Sequence, residues 1–413
     1  MVFKIDVPSS LILGDVDEGY GAVADEFRRN FTERGEIGAA CAVFRDGRKV
    51  VDLWGGYADG KTRRPWLEDT MVTVFSTTKG VSGLAIAVAH ARGLVHYDEK
   101  VAAYWPDFAQ AGKADVTVRQ LLSHQAGVAV IDQPLTLADL ADLDALAEAL
   151  AAQKPGWKPG AKHGYHGISL GWYEGELIRR VDPMRRSLGR FFADEIAKPL
   201  DVEFYIGVPD TVDKDRIAFV HGYKPAETIL HLNAMPWRFV ANFLNPRSQT
   251  ARAFANPKLL METGNYNLPE VRRLELPAAN GTGEARGIAK AYGDAATGGH
   301  GLGLQRSTLD ALMQPATPPT DGLMDVVLRV NSVFSLGYVK PFPSFRFGGS
   351  ADQAFGTPGA GGSFGFADPQ TGVGFAYVMN RTGFHLWDDP RELALREALF
   401  RTVFKERHQH PDR

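Results

Sequence analysis

The chain has 413 residues, 44% of them hydrophobic and 23% charged, with a formal net charge of −3. That length accommodates a sizeable core and two lobes, and the near-balanced charge excludes the electrostatic footprint of a nucleic-acid or anionic-membrane binder. A single cysteine, Cys41, excludes an internal disulfide and a thiolate metal cluster; its setting, Ala39-Ala40-Cys41-Ala42-Val43-Phe44, makes it a small buried filler.

In chain order, Met1 to Asp6 carry no basic region followed by an apolar run, and no segment reaches transmembrane length, so a cytoplasmic location is expected. Residues 17–34 read as a helix with Tyr20, Val23, Phe27 and Phe31 on one face. A hairpin follows, 38–44 and 49–54 about a turn at Arg45-Asp46-Gly47. A helix then starts at Ser76, with Val81, Leu84, Ala85 and Val88 in helical spacing and Gly93 as its stop. Residues 100–300 are mainly helical or looped, with 139–151 and 168–181 the clearest helices. Strands return at 334–339, 364–367 and 373–379, and a helix over 391–404 closes the chain. His408-Gln409-His410 reads as a disordered tail rather than a metal site. This order predicts an α+β fold, an α/β sandwich. An antiparallel sheet would come from 1–75 plus 325–413, a mainly helical lobe from 76–324, and the active site would lie in the cleft between them.

Ser76-Thr77-Thr78-Lys79 carries the first chemical signal. Residues three apart share a helical face, so the Lys79 amine can sit beside the Ser76 hydroxyl, which is a poor nucleophile without a partner. The helix start adds free N–H groups and a favourable dipole for developing negative charge. Chance supplies about half an S-x-x-K match in such a chain, and a helix-capping serine followed by a solvated lysine has the same spelling. Two further segments therefore matter. Tyr165 lies in a loop, Pro159 to Gly167, that runs into a helix, where a phenol either packs or carries a proton. The segment 355–365 concentrates glycine just before a strand, which suits either close backbone approach to a ligand or a plain turn.

In this order and at these separations, the three segments resemble the serine β-lactamase and penicillin-binding-protein superfamily, and within it the class C β-lactamase-like esterases, the family VIII carboxylesterases. The likeness extends through Val118-Arg119-Gln120-Leu121-Leu122-Ser123-His124, where the histidine is usually structural, through Pro277-Ala278-Ala279-Asn280-Gly281, and through Tyr377-Val378-Met379-Asn380-Arg381. It implies a β-lactamase-like fold with Ser76 as nucleophile, Lys79 as its activating neighbour and Tyr165 as base or proton shuttle. The backbone N–H groups of Ser76 and Ala360 would form the oxyanion hole, and no cofactor or metal is implied. His166, Gly167, Thr357, Gly359 and Gly361 would line the substrate site.

Two positions depart from the pattern. Gly167 stands where β-lactamases place an asparagine amide, and Thr357 where the family usually has Lys or His; Thr357 supplies a hydroxyl and no charge. Both changes remove anchors for an anionic β-lactam or a D-Ala-D-Ala end, which a neutral ester does not need. The expected activity is hydrolysis of short- to medium-chain carboxylic esters through an acyl-Ser76 intermediate. The alternatives are β-lactamase activity, D-amino-acid peptidase or amidase activity, acyl transfer from the same acyl-enzyme, and a catalytically silent binding homologue. Arg346, Arg381 or His300 would be the replacement cation for an anionic substrate. The expected partner is a small-molecule ester, with self-association left open.

Two G-x-S-x-G strings, centred on Ser169 and Ser363, lack the strand-turn-helix context of a nucleophile elbow. Ser169 is expected to cap its helix and Ser363 to line the sheet edge of the cleft. Trp157, Trp172 and Trp237 fall in the helical lobe, as core residues or, for some of them, as walls of an acyl pocket, while the loops of 225–275 carry no readable chemistry.

Overall fold

The computed structural model describes residues 5–222, 231, 234–349 and 352–409. Its main sheet is antiparallel and draws on both ends of the chain. From the N-terminal end come β1 (Ile12–Val16), β2 (Gly38–Arg45), β3 (Arg48–Asp59) and the short β4 (Arg64–Pro65). Three more short strands, β5 (Val72–Thr73), β6 (Phe204–Tyr205) and β7 (Thr282–Gly283), form a separate ladder in the order β5-β7-β6. The C-terminal end adds β8 (Phe355–Pro358), β9 (Phe364–Asp368) and β10 (Val373–Met379), giving the path β1-β3-β2-β10-β9-β8 with β4 on β3. The termini meet where β10 pairs with β2, Phe375 opposite Val43 and Tyr377 opposite Cys41. Cys41 is fully buried there, and burial pushes its thiol up from the ordinary range.

All seven residues of β10 are buried, which requires cover on both faces of the sheet. Helices α1 (Gly21–Thr32), α2 (Thr77–Ala91), α3 (Leu137–Ala141), α4 (Leu143–Ala152), α5 (Ser169–Val181), α6 (Trp237–Phe243), α7 (Ala285–Ala296) and α8 (Pro390–Gln409) supply that cover or build the rest. α7 packs on β10, β9 and β2, while α1 and α8 pack together and Phe400 of α8 stacks over Phe366 of β9 at 6.2 Å. α2 is more enclosed than its one apolar face predicts: every residue but His90 is buried. Small residues (Gly80, Ser82, Gly83) on its other sides let β8 and α5 close on it.

Several elements differ from the sequence expectation for identifiable reasons. The stretch 139–151 is two helices, because Asp142 stays extended and its carboxylate accepts the N–H groups of Asp144 and Ala145 as a new cap. Residues 334–339 make an isolated Phe334–Val339 bridge instead of a strand, with Ser335 and Tyr338 closing a turn. The glycine-rich run at 355 begins as strand β8. The closing helix takes in His408 and Gln409, so these are not a tail; His410 lies outside the described residues, as do 223–230 and 232–233 of the uninformative loop region. Trp172 is buried, but Trp237 is 72% exposed and is no core residue. Among the described residues no helix is long and apolar enough to cross a membrane.

Beneath the β8–β9 turn lies a buried charge network. The Arg391 guanidinium donates to Asp389 (2.8 Å), to Glu36 (3.0 Å) and to the carbonyl of Gly361 (2.7 Å), and Tyr377 hydrogen-bonds Glu36. Removing one member leaves its partners buried and unpaired. Arg391→Met is expected to cost about 3–5 kcal/mol in a denaturant titration; a loss below about 1 kcal/mol would show that water replaces the guanidinium.

Candidate active site

Phe75, the residue before the S-x-x-K motif, has φ +48, a left-handed conformation that bulky side chains seldom adopt. Its ring is held edge-on against Tyr266 at 5.2 Å. This sharp turn delivers Ser76 to the N-terminus of α2. The Ser76 side chain caps nothing; Lys79 Nζ lies 3.1 Å from its Oγ.

Lys79 is fully buried. Its Nζ donates to the carbonyls of Gly167 (2.7 Å) and Ala278 (2.9 Å) and stands 4.8 Å above the Tyr165 ring. Burial lowers its pKa to about 7, opposed only by the charge of Glu174. The geometry suits both protonation states. As an ammonium, Lys79 spends its third N–H on Ser76 Oγ; as an amine, the two carbonyls take both N–H groups and the lone pair faces the hydroxyl.

Each acceptor is itself fixed. Ala278 lies in a loop that Asn280 clamps, its amide donating to the carbonyls of Val271 (2.9 Å) and Leu274 (2.7 Å). Thr78 Oγ1 accepts the Gly281 N–H at 2.9 Å, joining that loop to the motif helix. Gly167 lies just before α5, whose Glu174 is buried about two turns on and accepts a hydrogen bond from Ser82 Oγ at 3.3 Å. Burial raises the Glu174 carboxyl to about 8, so it is mostly neutral at pH 7 and does little to hold Lys79 charged.

The Tyr165 phenol faces Ser76. Burial raises its pKa above the ordinary tyrosine range, and the Ser76 contact lowers it only in part. The loop that carries it hangs on Asp325, a fully buried carboxylate that accepts N–H groups from Tyr165 (3.0 Å), Val327 (2.7 Å) and Leu328 (2.7 Å). Behind the phenol, Phe334 stacks on it at 6.3 Å and His124 lies 5.2 Å away.

The β8–β9 turn brings Gly359, the neighbour of Ala360, against the turn that carries Ser76. A β-carbon at Gly359 would fall 2.5 Å from the Val74 carbonyl and 2.8 Å from Thr77 Oγ1, so only glycine permits this crossing. Ser363 fastens it: its Oγ donates to the Val74 carbonyl at 2.8 Å and accepts from Thr77 Oγ1 at 3.0 Å. The N–H groups of Ser76 and Ala360 have no acceptor among the described residues, and Ala360 is exposed.

Other expected site residues face elsewhere. His166 is fully buried, its Nδ1 2.9 Å from that of His124, and burial lowers its pKa to about 3, so it is a neutral interior residue and not a rim contact. Thr357 follows the alternation of β8 inward, placing Oγ1 beside the Tyr292 hydroxyl over Gly80 of α2. Gly361 is buried and its carbonyl is taken by Arg391 and the Gly383 N–H. Ser169 does not cap α5; its hydroxyl donates to the carbonyls of Val128 and Ala129. Arg381 is turned to the Gly35 carbonyl, while Arg346 and His300 are exposed. Sequence reasoning passed over Asp325 and Glu174. Each is an acid placed among apolar neighbours (Met324, Val326 and Val327 for the first, Leu170, Leu177 and Ile178 for the second), which is the readable mark of a buried carboxyl. No group of three His, Cys, Asp or Glu side chains that could hold a metal occurs among the described residues.

A sheet built from both chain ends, a serine at a helix start and a buried lysine at its hydroxyl define a serine hydrolase of the β-lactamase fold. The family model described as Beta-lactamase matches residues 25–399, and the chain belongs to that family. It is 34% identical over 372 residues to the esterase/beta-lactamase LipL of Mycobacterium tuberculosis, covering 90% of this chain and 83% of that protein. Among solved structures it superposes on a family VIII carboxylesterase with a TM-score of 0.83 and 36% identity, over 95% of this chain and 99% of the other. A penicillin-binding protein homologue from Caulobacter crescentus gives 0.81 and 36% over the same shares.

If Ser363 registers Ala360 against Ser76, Ser363→Ala should lower kcat by about 10- to 100-fold with a smaller change in KM. Steady-state ester hydrolysis measures this, and an unchanged kcat would mean the turn keeps its register without the hydroxyl.

Proposed function

We propose that the protein hydrolyses neutral carboxylic esters of short to medium chain through an acyl-Ser76 intermediate. The observation that carries this reading is the buried Lys79 amine at 3.1 Å from Ser76 Oγ with both other N–H directions taken by carbonyls. In acylation Lys79 accepts the serine proton as Oγ attacks the ester carbonyl. The developing oxyanion is received by the N–H groups of Ser76 and Ala360. Tyr165, whose raised pKa keeps it a protonated phenol, donates to the leaving alkoxide and is recharged from Lys79. Deacylation runs the same proton path with water in place of the serine. Lys79 and Tyr165 thus act as one acid–base unit.

The preference for neutral esters over β-lactams or D-amino-acid amides rests on what lines the site. No cation stands at Thr357, which faces inward, and Gly167 offers no amide. The names of the similar proteins span both activities, esterase and β-lactamase, so the substrate test includes both.

Ser76→Ala is expected to abolish p-nitrophenyl butyrate hydrolysis, and Lys79→Ala to reduce it about 10²- to 10⁴-fold. A fluorophosphonate probe should leave one adduct, on Ser76, by peptide mass spectrometry; an adduct on Ser169 or Ser363 would discard the mechanism. Nitrocefin turnover matching ester turnover would reverse the order of substrates.

The pH profile has a definite sign. A protonated Lys79 cannot accept a proton, and burial lowers its pKa to about 7. Wild-type kcat/KM should therefore rise about tenfold per pH unit on the acid side and level off above about pH 7. A profile that is flat from about pH 5 to 9 would exclude Lys79 as the base.

A further inference from the structure

The Gly167 peptide faces two ways. Its carbonyl holds Lys79 Nζ, and its α-carbon lies against the ring of Phe254. A β-carbon at 167 would stand 2.6 Å from Phe254 Cε1, 2.7 Å from Cδ1 and 2.7 Å from the Ala253 carbonyl. No side chain fits there without moving a backbone carbonyl, so position 167 can deliver no polar group to the substrate. A phenyl ring occupies the place instead.

That ring is continuous with the catalytic centre. Its centroid lies 6.4 Å from that of Tyr165, and it also meets Phe239 (6.4 Å) and Phe243 (6.1 Å) of α6. Phe254 is only half-buried, so part of this residue, packed beside the Tyr165 ring, is open to solvent. The nearby cation Arg252 is turned away and paired with Asp132. A group laid along this surface from Ser76 gains by burying carbon and finds no hydrogen-bonding partner in the rings.

We infer that Phe254 is a specificity-determining residue, which receives an apolar group of the ester and whose ring sets how far that group extends beside Ser76. The inference rests on the ester-hydrolase reading above. Truncating the ring lengthens the pocket, and the discrimination available is that of a few methylenes, roughly tenfold or more.

The test uses two ester series on the full-length wild type, Phe254→Leu and Phe254→Ala. One varies the acyl chain from C2 to C12 on p-nitrophenol; the other varies the alcohol on acetate, followed by pH-stat. In Phe254→Ala the ratio of kcat/KM for long over short members should rise at least tenfold in one series, with Phe254→Leu between. The series that responds identifies which half of the ester lies on the ring. A ratio within one preparation does not depend on the folded fraction, so partial misfolding leaves the readout intact. Ratios unchanged in both series, with Ser76 still labelled by fluorophosphonate and esters still turned over, would overturn the Phe254 assignment alone. A wild type that turns over no ester, or leaves Ser76 unlabelled, overturns the ester-hydrolase reading and this inference with it.

Discussion

A lysine side chain driven wholly into a protein interior must find acceptors for its N–H groups or lose its charge. At Lys79 the structure does both, and the site is organised around that constraint. The acceptors come from the loop before α5 and from the Pro277–Gly281 loop, segments far apart in sequence. Each is held by its own clamp, Asp325 for the first and Asn280 for the second. Glu174, the carboxylate that could have kept the ammonium charged, is itself desolvated and mostly neutral at pH 7. Burial disfavours the charged form of both groups more than their mutual attraction restores it, so Lys79 reaches the amine form near neutral pH. The same contacts that solvate Lys79 therefore aim it.

The proposed mechanism has a second requirement, that the Ala360 N–H reach Ser76 from the other end of the chain. β10 brings the C-terminal strands into register with β2, and the β8–β9 turn then crosses the motif turn at Gly359. Ser363 ties the two turns, and Arg391 grips the next carbonyl from below. The left-handed Phe75 costs on the order of 1–3 kcal/mol, and it is held by Tyr266 and by the Val74 N–H donating to the Gly281 carbonyl at 2.9 Å. Strain at the turn before Ser76 is thus offset by a loop that also positions Lys79.

What the amino-acid order makes legible is local. The strand at 373–379 and the helix after Ser76 each follow from a pattern among residues close together in the chain, and both are where that pattern puts them. The Ser76–Lys79 pairing is legible for the same reason, since three residues on a helix fix a shared face. The direction in which other candidates point is not. Thr357 and Gly361 look like substrate contacts because they flank Ala360, yet the pleat of β8 and the grip of Arg391 turn them inward. His166 adjoins Tyr165 in sequence but faces His124, forty-two residues earlier. Ser363 draws notice as a false nucleophile motif; its role as a fastening between turns depends on the long-range approach of Val74 and Thr77, separated from it by most of the chain.

The polar groups near Ser76 are nearly all committed to one another. Lys79 is taken up by carbonyls, Asp325 by the Tyr165 loop, His166 by His124, and Ser363 by the motif turn. What remains toward the solvent is the pair of free N–H groups and an aromatic surface. A substrate held there gains from buried carbon, and roughly 100 Å² of apolar contact contributes about 2.5 kcal/mol. That is modest binding, made equally in the ground and transition states. In the proposed mechanism the N–H groups act differently, since their hydrogen bonds would strengthen as the carbonyl oxygen becomes charged. In the proposed reaction, recognition and rate acceleration therefore fall to separate parts of the site, the first apolar and tolerant, the second polar and fixed.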